Sequence, residues 1–207
     1  MKNEPAPYDK HANSYDRTWR RYIARTLRFL KASISFRSSD RILDIACGTG
    51  EFERLVLKDH PDQQMIGVDI SEKMLHVAQE KCSAYPNVVF LKADASALPF
   101  PDQTFDLVVS ANSLHYFDQP SVSLAEMHRV LLPTGAVIIL DWCKDYLICR
   151  GFDFFLRGIE RGYQSCYTQR ELLRLLDSAG FAIRSTRKIK LGSIFWGHMI
   201  AVATPKV

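Results

Sequence analysis

Nothing in the chain is long and apolar enough to cross a bilayer. Such a span takes about 18 apolar residues, whereas the longest uncharged run, residues 191–205, is short and interrupted by glycine. Residues 1–7 are polar and hold two prolines, which does not fit a secretory leader. Cysteine is scarce and unpatterned: five residues with no Cys-x-x-Cys pair exclude a zinc knuckle and a disulfide framework. Reduced thiols, no bound metal and a cytoplasmic setting are therefore expected. Charge of one sign is also in short supply, at a net +4 over 207 residues. The basic stretches at 17–28 and 184–190 belong to no nucleic-acid-binding module and read as solvated surface, so no nucleic-acid partner is expected. Repeats and low-complexity linkers are absent too. What remains is 47% apolar and 24% charged, the composition of one globular domain spanning residues 1–207.

Along that domain apolar runs alternate with helical periodicity. Arg41 to Ala46 reads as a strand that ends at Cys47-Gly48-Thr49-Gly50, after which Phe52, Leu55 and Val56 recur at helical spacing. Gln64 to Val68 is a second strand, and Ser71 caps a helix carrying Leu75, Ala78 and Cys82 on one face. Val88 to Leu91 and Phe105 to Ala111 are the third and fourth strands, the latter apolar enough to be buried on both faces. A helix from Pro120, with Leu124, Met127 and Leu131 on its stripe, is predicted to stop at Pro133-Thr134-Gly135, and strand five follows from Ala136 to Asp141. Thr168 and Glu171 have capping-box spacing ahead of Leu172, Leu175, Leu176 and Ala179, with Gly180 closing that helix. Phe181 to Ile189 and His198 to Thr204 complete the set of strands. Alternating strands and helices imply a doubly wound α/β fold with a mostly parallel sheet. Residues 1–40 and the aromatic-rich stretch 142–167 fall outside the alternation and are expected to cover a site.

Glycines between a strand and a helix let a ligand approach bare backbone, which makes Asp44-Ile45-Ala46-Cys47-Gly48-Thr49-Gly50 the first readable chemistry. A dinucleotide loop would want a third glycine where Glu53 stands, and a carboxylate there disfavours a pyrophosphate. Asp69 ends the second strand at the spacing where a carboxylate meets a ribose, and Asp94 follows the third strand, where it can accept from an adenine amino group. In open α/β sheets, ligands bind outside the carboxyl ends of the strands. Three acids converging there suit a cationic sulfonium nucleoside.

From about Tyr8 to Thr204 the chain resembles the class I S-adenosylmethionine-dependent methyltransferases, closest to the small-molecule branch that includes the ubiquinone/menaquinone C-methyltransferases. The resemblance is carried by Asp44 to Gly50, Asp69-Ile70-Ser71-Glu72-Lys73-Met74, Ala93-Asp94-Ala95 through Leu98-Pro99-Phe100, Asn112-Ser113-Leu114-His115-Tyr116, and Val130 to Gly135. It implies a Rossmann-like sheet of seven strands, the last inserted antiparallel beside the fifth, and an N-terminal helical lid over residues 1–40. It further implies S-adenosylmethionine as cofactor, bound at Tyr8, Tyr15, Asp44, Ala46, Gly48, Gly50, Asp69, Ile70, Met74, Asp94, Ala95 and Asn112. Within that set Asp44 orients the loop and the methionine amino end, and Gly48 and Gly50 admit the cofactor backbone. Asp69 holds the ribose, Met74 packs on the adenine, Asp94 and the Ala95 amide read its edge, and Tyr8 and Tyr15 close over it.

For an acceptor that must lose a proton, His115 just beyond strand four is the candidate catalytic base, ahead of His198 and Tyr116. The aromatics from Trp142 to Tyr167 predict a small-molecule acceptor of apolar or aromatic character. Strand four is followed by Ala111-Asn112-Ser113-Leu114 rather than Asn/Asp-Pro-Pro-Tyr/Phe, and no Pro-Cys pair occurs, which disfavours methylation of nucleic-acid bases. Two other readings stand beside the enzyme: a silent methyltransferase-like binding module, and a nucleic-acid-binding protein using the basic N-terminal helix. The acceptor's identity, the methylated atom and the oligomeric state leave no signature in the sequence.

Overall fold

A computed structural model describes residues 12–160, 162–191 and 196–206; the expectation for Tyr8 lies outside them. Seven strands form one sheet: β1 (Arg41–Ile45), β2 (Gln64–Asp69), β3 (Val88–Lys92), β4 (Phe105–Ala111), β5 (Leu131–Trp142), β6 (Phe181–Lys190) and β7 (Gly197–Pro205). Their order is β3-β2-β1-β4-β5-β7-β6. The first five pair in parallel, while β7 runs antiparallel to both β5 and β6. Helices α1 (Ala12–Ala32), α2 (Glu51–Leu57), α3 (Glu72–Lys81), α4 (Pro120–Val130), α5 (Leu147–Ile159) and α6 (Gln169–Ser178) accompany the sheet.

Side chains alternate across a strand, and the central strands are apolar on both sides, so two cores form. Leu43, Ile45 and Val108 face one side, where Leu124 and Met127 of α4 and Leu172 and Leu176 of α6 cover them. Ile42, Leu107 and Val109 face the other, under Phe52 and Val56 of α2 and Ile23, Leu27 and Leu30 of α1. Each such side chain, fully buried, contributes about 1.5–3 kcal/mol. Local signals start the helices where the sequence places them. Ser71 accepts from the Met74 amide at 3.2 Å, and Thr168 with Glu171 completes a capping box.

One boundary departs from expectation. The fourth helix ends at Val130, and Leu131 is not on its stripe but opens β5, opposite Phe105. The register then shifts so that Leu107 pairs with Ala136, and Leu132 to Gly135 are absorbed inside the strand instead of stopping the helix. Gly135 permits this, because a Cβ there would lie 2.8 Å from Leu131 Cδ2 and 2.9 Å from the Asp106 carbonyl. The aromatic stretch also proves to contain a helix, α5, which periodicity did not reveal.

Several attachments hold α1 in place, among them Lys31 on Asp59 and the Leu55 carbonyl. Besides its apolar face, Asp16 accepts from the Thr49 hydroxyl at 2.6 Å and from Lys81 Nζ at 2.5 Å, tying the helix to the glycine turn and to the end of α3. Further along, the Tyr22 hydroxyl donates to Asn112 Oδ1 at 2.6 Å and accepts from Trp142 Nε1 at 2.6 Å, with His198 Nε2 at 3.2 Å. Trp142 and His198 are register partners on β5 and β7, so one phenol joins α1 to three strand ends. Burial lowers the His198 pKa to about 4, keeping the ring neutral, and because the Tyr22 hydrogen goes to Asn112, Nε2–H is the donor to the phenol oxygen. Among the described residues no helix is long and apolar enough to cross a membrane.

Tyr22→Phe strips this junction of its central oxygen and strands buried donors and acceptors. The expected loss is about 2–4 kcal/mol, read as a drop of roughly 5–15 °C in thermal midpoint; an unchanged midpoint would show that the junction carries no stability.

Candidate functional site

The carboxyl ends of β1, β2 and β4, with the loops after β3 and β4, surround one cavity of about 240 Å³. Ten of the residues expected at a cofactor site line it: Tyr15, Asp44, Ala46, Gly48, Asp69, Ile70, Met74, Asp94, Ala95 and Asn112. Ile23 and Leu27 of α1 close one wall. Gly50 lies behind the wall. It caps α2 with φ 71°, and a Cβ there would meet Ala78 Cβ at 2.9 Å and Phe90 Cζ at 3.1 Å, so its smallness serves helix packing. His115 is off the wall as well, at 1% exposure.

The backbone at the rim is wound into unusual conformations. Ala46 (φ 59°) and Asn112 (φ 55°) are non-glycine residues in the left-handed region, one after β1 and the other after β4. Such strain persists where the surroundings over-determine it, and it gathers at ligand sites. At Gly48 (φ 56°) a Cβ would have no atom within 4 Å, so this turn presents bare backbone to open space. The Gly48 amide donates to Asp69 Oδ2 at 2.9 Å and the Ser71 amide to Oδ1 at 2.9 Å, which fixes the carboxylate. Asp94 is similarly oriented, accepting from the Ser96 amide and hydroxyl at 2.8 Å each. Met74 is buried where α3 begins and supplies an apolar surface between the two acids. Acceptors at separate strand ends, an apolar floor and a cradle without a side chain fit a nucleoside with a polar tail.

Beneath the turn lies an acid the sequence reading used only to exclude pyrophosphate. Glu53 is fully buried, and neither of its carboxyl oxygens is hydrogen-bonded among the described residues. It fills the space over Gly67, whose added Cβ would sit 2.5 Å from Glu53 Oε1, and Gly67 is the register partner of Asp44. Burial first, and then the charges of Glu53 and Asp69, hold the Asp44 pKa well above the carboxylate range. Burial likewise lifts Glu53 to about 8. The Tyr15 phenol, on the cavity wall, is pushed up to about 12 by burial and by the charges of Asp69 and Asp16.

His115 has a partner that sequence reading missed. Its Nδ1 meets Asp141 Oδ1 at 2.5 Å, its amide donates to Asp141 Oδ2 at 3.1 Å, and its ring stacks on Trp142 with centroids 4.5 Å apart. Asp141 nearly closes β5, much as Asp44 nearly closes β1; an acid ending an otherwise apolar strand was the available signal. Tyr116, next to His115, does line the cavity, and its hydroxyl donates to Glu160 Oε1 at 2.7 Å.

Comparison with known proteins supplies the family. A family described as a methyltransferase domain matches residues 42–135. A ubiquinone/menaquinone biosynthesis C-methyltransferase of Saccharophagus degradans is 39% identical, over 70% of this chain and 68% of that protein. A demethylmenaquinone methyltransferase of Symbiobacterium thermophilum is 36% identical, over 72% of this chain and 62% of that protein. The chain thus spans about two thirds of the length of these curated relatives. Among solved structures, a S-adenosylmethionine-dependent methyltransferase from Aquifex aeolicus superposes with a TM-score of 0.74 at 21% identity, covering 98% of this chain and 100% of that one. At that identity the likeness speaks for the fold.

The buried acids make a pH-dependent prediction. Glu53 takes up a proton on folding, since its folded pKa of about 8 exceeds the ordinary 4.5. Its contribution is therefore fully present at low pH and is lost as pH rises from 4.5 toward 8. Glu53→Gln, neutral and nearly isosteric, should flatten that fall and be more stable than the parent at pH 8 by a few kcal/mol, on the order of 2–5. Denaturant midpoints of the two proteins at pH 5 and pH 8 check this, and parallel pH profiles would refute it.

Proposed function

The chain belongs to the S-adenosylmethionine-dependent methyltransferase family, and from that premise we propose that it transfers a methyl group to a small, apolar, quinone-like acceptor. The observation that carries the reading is the meeting of Asp44, Asp69 and Asp94 with the bare Gly48 turn around one cavity. When bound, the cofactor supplies a methyl group on a positively charged sulfur, already activated for in-line displacement. The protein's task is then alignment more than covalent chemistry.

Each residue has a part in that alignment. Asp69, preset by the Gly48 and Ser71 amides, accepts from the ribose hydroxyls. Asp94 and the Ala95 amide address the adenine edge, Met74 and Ile70 its faces, and Asp44 the methionine amino end. Ala46 and Asn112 contribute backbone at the strained rim. Tyr15 closes the site from the amino-terminal side. The names of the two curated relatives, which specify ubiquinone/menaquinone biosynthesis and demethylmenaquinone, support a quinone-like acceptor. All five cysteines are buried and free, which supports a reducing, cytoplasmic setting.

For an acceptor that sheds a proton, His115 is the proposed base. With Nδ1–H held by Asp141, the other ring nitrogen keeps its lone pair. The ring sits behind Tyr116, so proton removal requires an acceptor that displaces the Tyr116 ring from the wall.

Calorimetry with S-adenosylhomocysteine tests the cofactor site: Asp69→Ala should bind at least about tenfold more weakly, the loss of charge-assisted hydrogen bonds, and unchanged affinity refutes the ribose assignment. With methyl-tritiated cofactor and a short-chain demethylated naphthoquinone, His115→Gln and Asp141→Asn should lower kcat by about 10²-fold or more while cofactor affinity stays the same. Turnover of His115→Gln at the parent rate would remove the base.

A further inference from the structure

Helix α5 is amphipathic in the inverted sense. Its inward positions are Cys149 and Asp153, both buried, with Leu156 and Glu160 beyond them at helical spacing. Asp153 is held there by Lys144 at 2.7 Å and Arg157 at 3.0 Å, and it accepts from the Tyr163 hydroxyl at 2.9 Å. The opposite face carries the large apolar side chains, and it is turned to solvent. Leu147 is 83% exposed, Phe154 86%, Ile159 66%, Phe155 58% and Phe152 43%. At 100° per residue these five span an arc of about 160°, with Gly151 and Gly158 between them and Arg150 and Arg157 along one edge. Beside them opens a cavity of about 930 Å³ whose lining includes Tyr146, Ile148, Phe152, Phe155 and Lys190.

A water-soluble surface does not leave such a face uncovered without a use. Charge identifies what covers it. Of the acids near the face, Asp145 is paired with Lys188 at 3.1 Å, Asp153 is taken up by Lys144 and Arg157, and Glu160 accepts from Tyr116. Among the described residues Arg150 and Lys190 remain as exposed cations without an ion pair, Lys190 lying 5.9 Å from the centre of the Tyr146 ring. Phenylalanine, leucine and isoleucine on one arc with arginine at its border is the make-up of a helix that lies in the plane of a lipid interface, its apolar face among the acyl chains and its cations at the phosphates.

We propose that the outward face of α5 docks this protein on the surface of an anionic phospholipid bilayer. Phe154, Phe155, Leu147 and Ile159 enter the boundary between headgroups and acyl chains, and Arg150 and Lys190 engage lipid phosphate. No helix spans the membrane in this arrangement, and the attachment is reversible. The inference is independent of the methyl-transfer reading.

Co-sedimentation of the full chain with vesicles tests it, using phosphatidylcholine alone and phosphatidylcholine mixed with phosphatidylglycerol. Binding is expected to the mixed vesicles, to weaken with added salt, and to fall by about tenfold or more in the double variant Phe154→Glu/Phe155→Glu. Because both rings are exposed, that variant should melt as the parent does, which separates lost docking from lost folding. The proposal is overturned if the parent binds neither vesicle, or if the double variant binds as well as the parent. It is also overturned if the parent ignores vesicles but sediments as a dimer that the double variant abolishes, which would assign the face to a second copy of the chain.

Discussion

The site depends on strand β1 having β2 on one side and β4 on the other. Where a sheet is wound outward in both directions from a central strand, the two first crossovers leave the sheet on opposite faces, and a crevice is left between them at the carboxyl ends. Asp44, Ala46 and Gly48 stand on one lip of that crevice, Asp69 on the second, and Asn112 on the third. The bond from the Gly48 amide to Asp69 fastens two of these lips at 2.9 Å, so the turn and the carboxylate hold each other in position. Residues far apart in the chain thus become neighbours through strand order alone.

The glycine turn also shows how one packing problem admits two solutions. In dinucleotide-binding folds a third glycine on the helix lets it lie close to the strand. Here that position is Glu53, and the small residue is found across the gap instead, as Gly67 on β2, where the Glu53 carboxyl occupies the vacated volume. A carboxyl in that place is charged only against opposition from burial and from the charge of Asp69. The floor of the cavity is consequently less negative at neutral pH than its sequence implies.

How much was legible follows from how local the cause is. The acid that ends β2, Asp69, the one next to the end of β1, Asp44, the cap at Ser71 and the capping box at Thr168 announce themselves within a few residues, and the fold places them there. The boundary at Leu131 was misread because its helical spacing is real, while its pairing with Phe105 is made across the sheet. The His115–Asp141 contact and the Tyr22 junction join residues 26 to 176 positions apart, and single-sequence periodicity is blind to such distances. Helix α5 was missed for a different reason. Its aromatics were read as contacts for an acceptor, whereas in the folded chain Phe152, Phe154 and Phe155 point to solvent and do not line the cavity beside Asp69.

The two ends of α1 are held by different physics. Towards its carboxyl end, Ile23, Leu27 and Leu30 are sunk in the apolar layer, and Lys31 adds an ion pair with Asp59 and a bond to the Leu55 carbonyl. Towards its amino end, the grip is Asp16 on Lys81 and Thr49, half-exposed on the carboxylate side and therefore screened by electrolyte. Burial therefore carries most of the hold at the carboxyl half whatever the electrolyte, while the amino end, next to Tyr15 on the cavity wall, leans more on its charged and polar contacts.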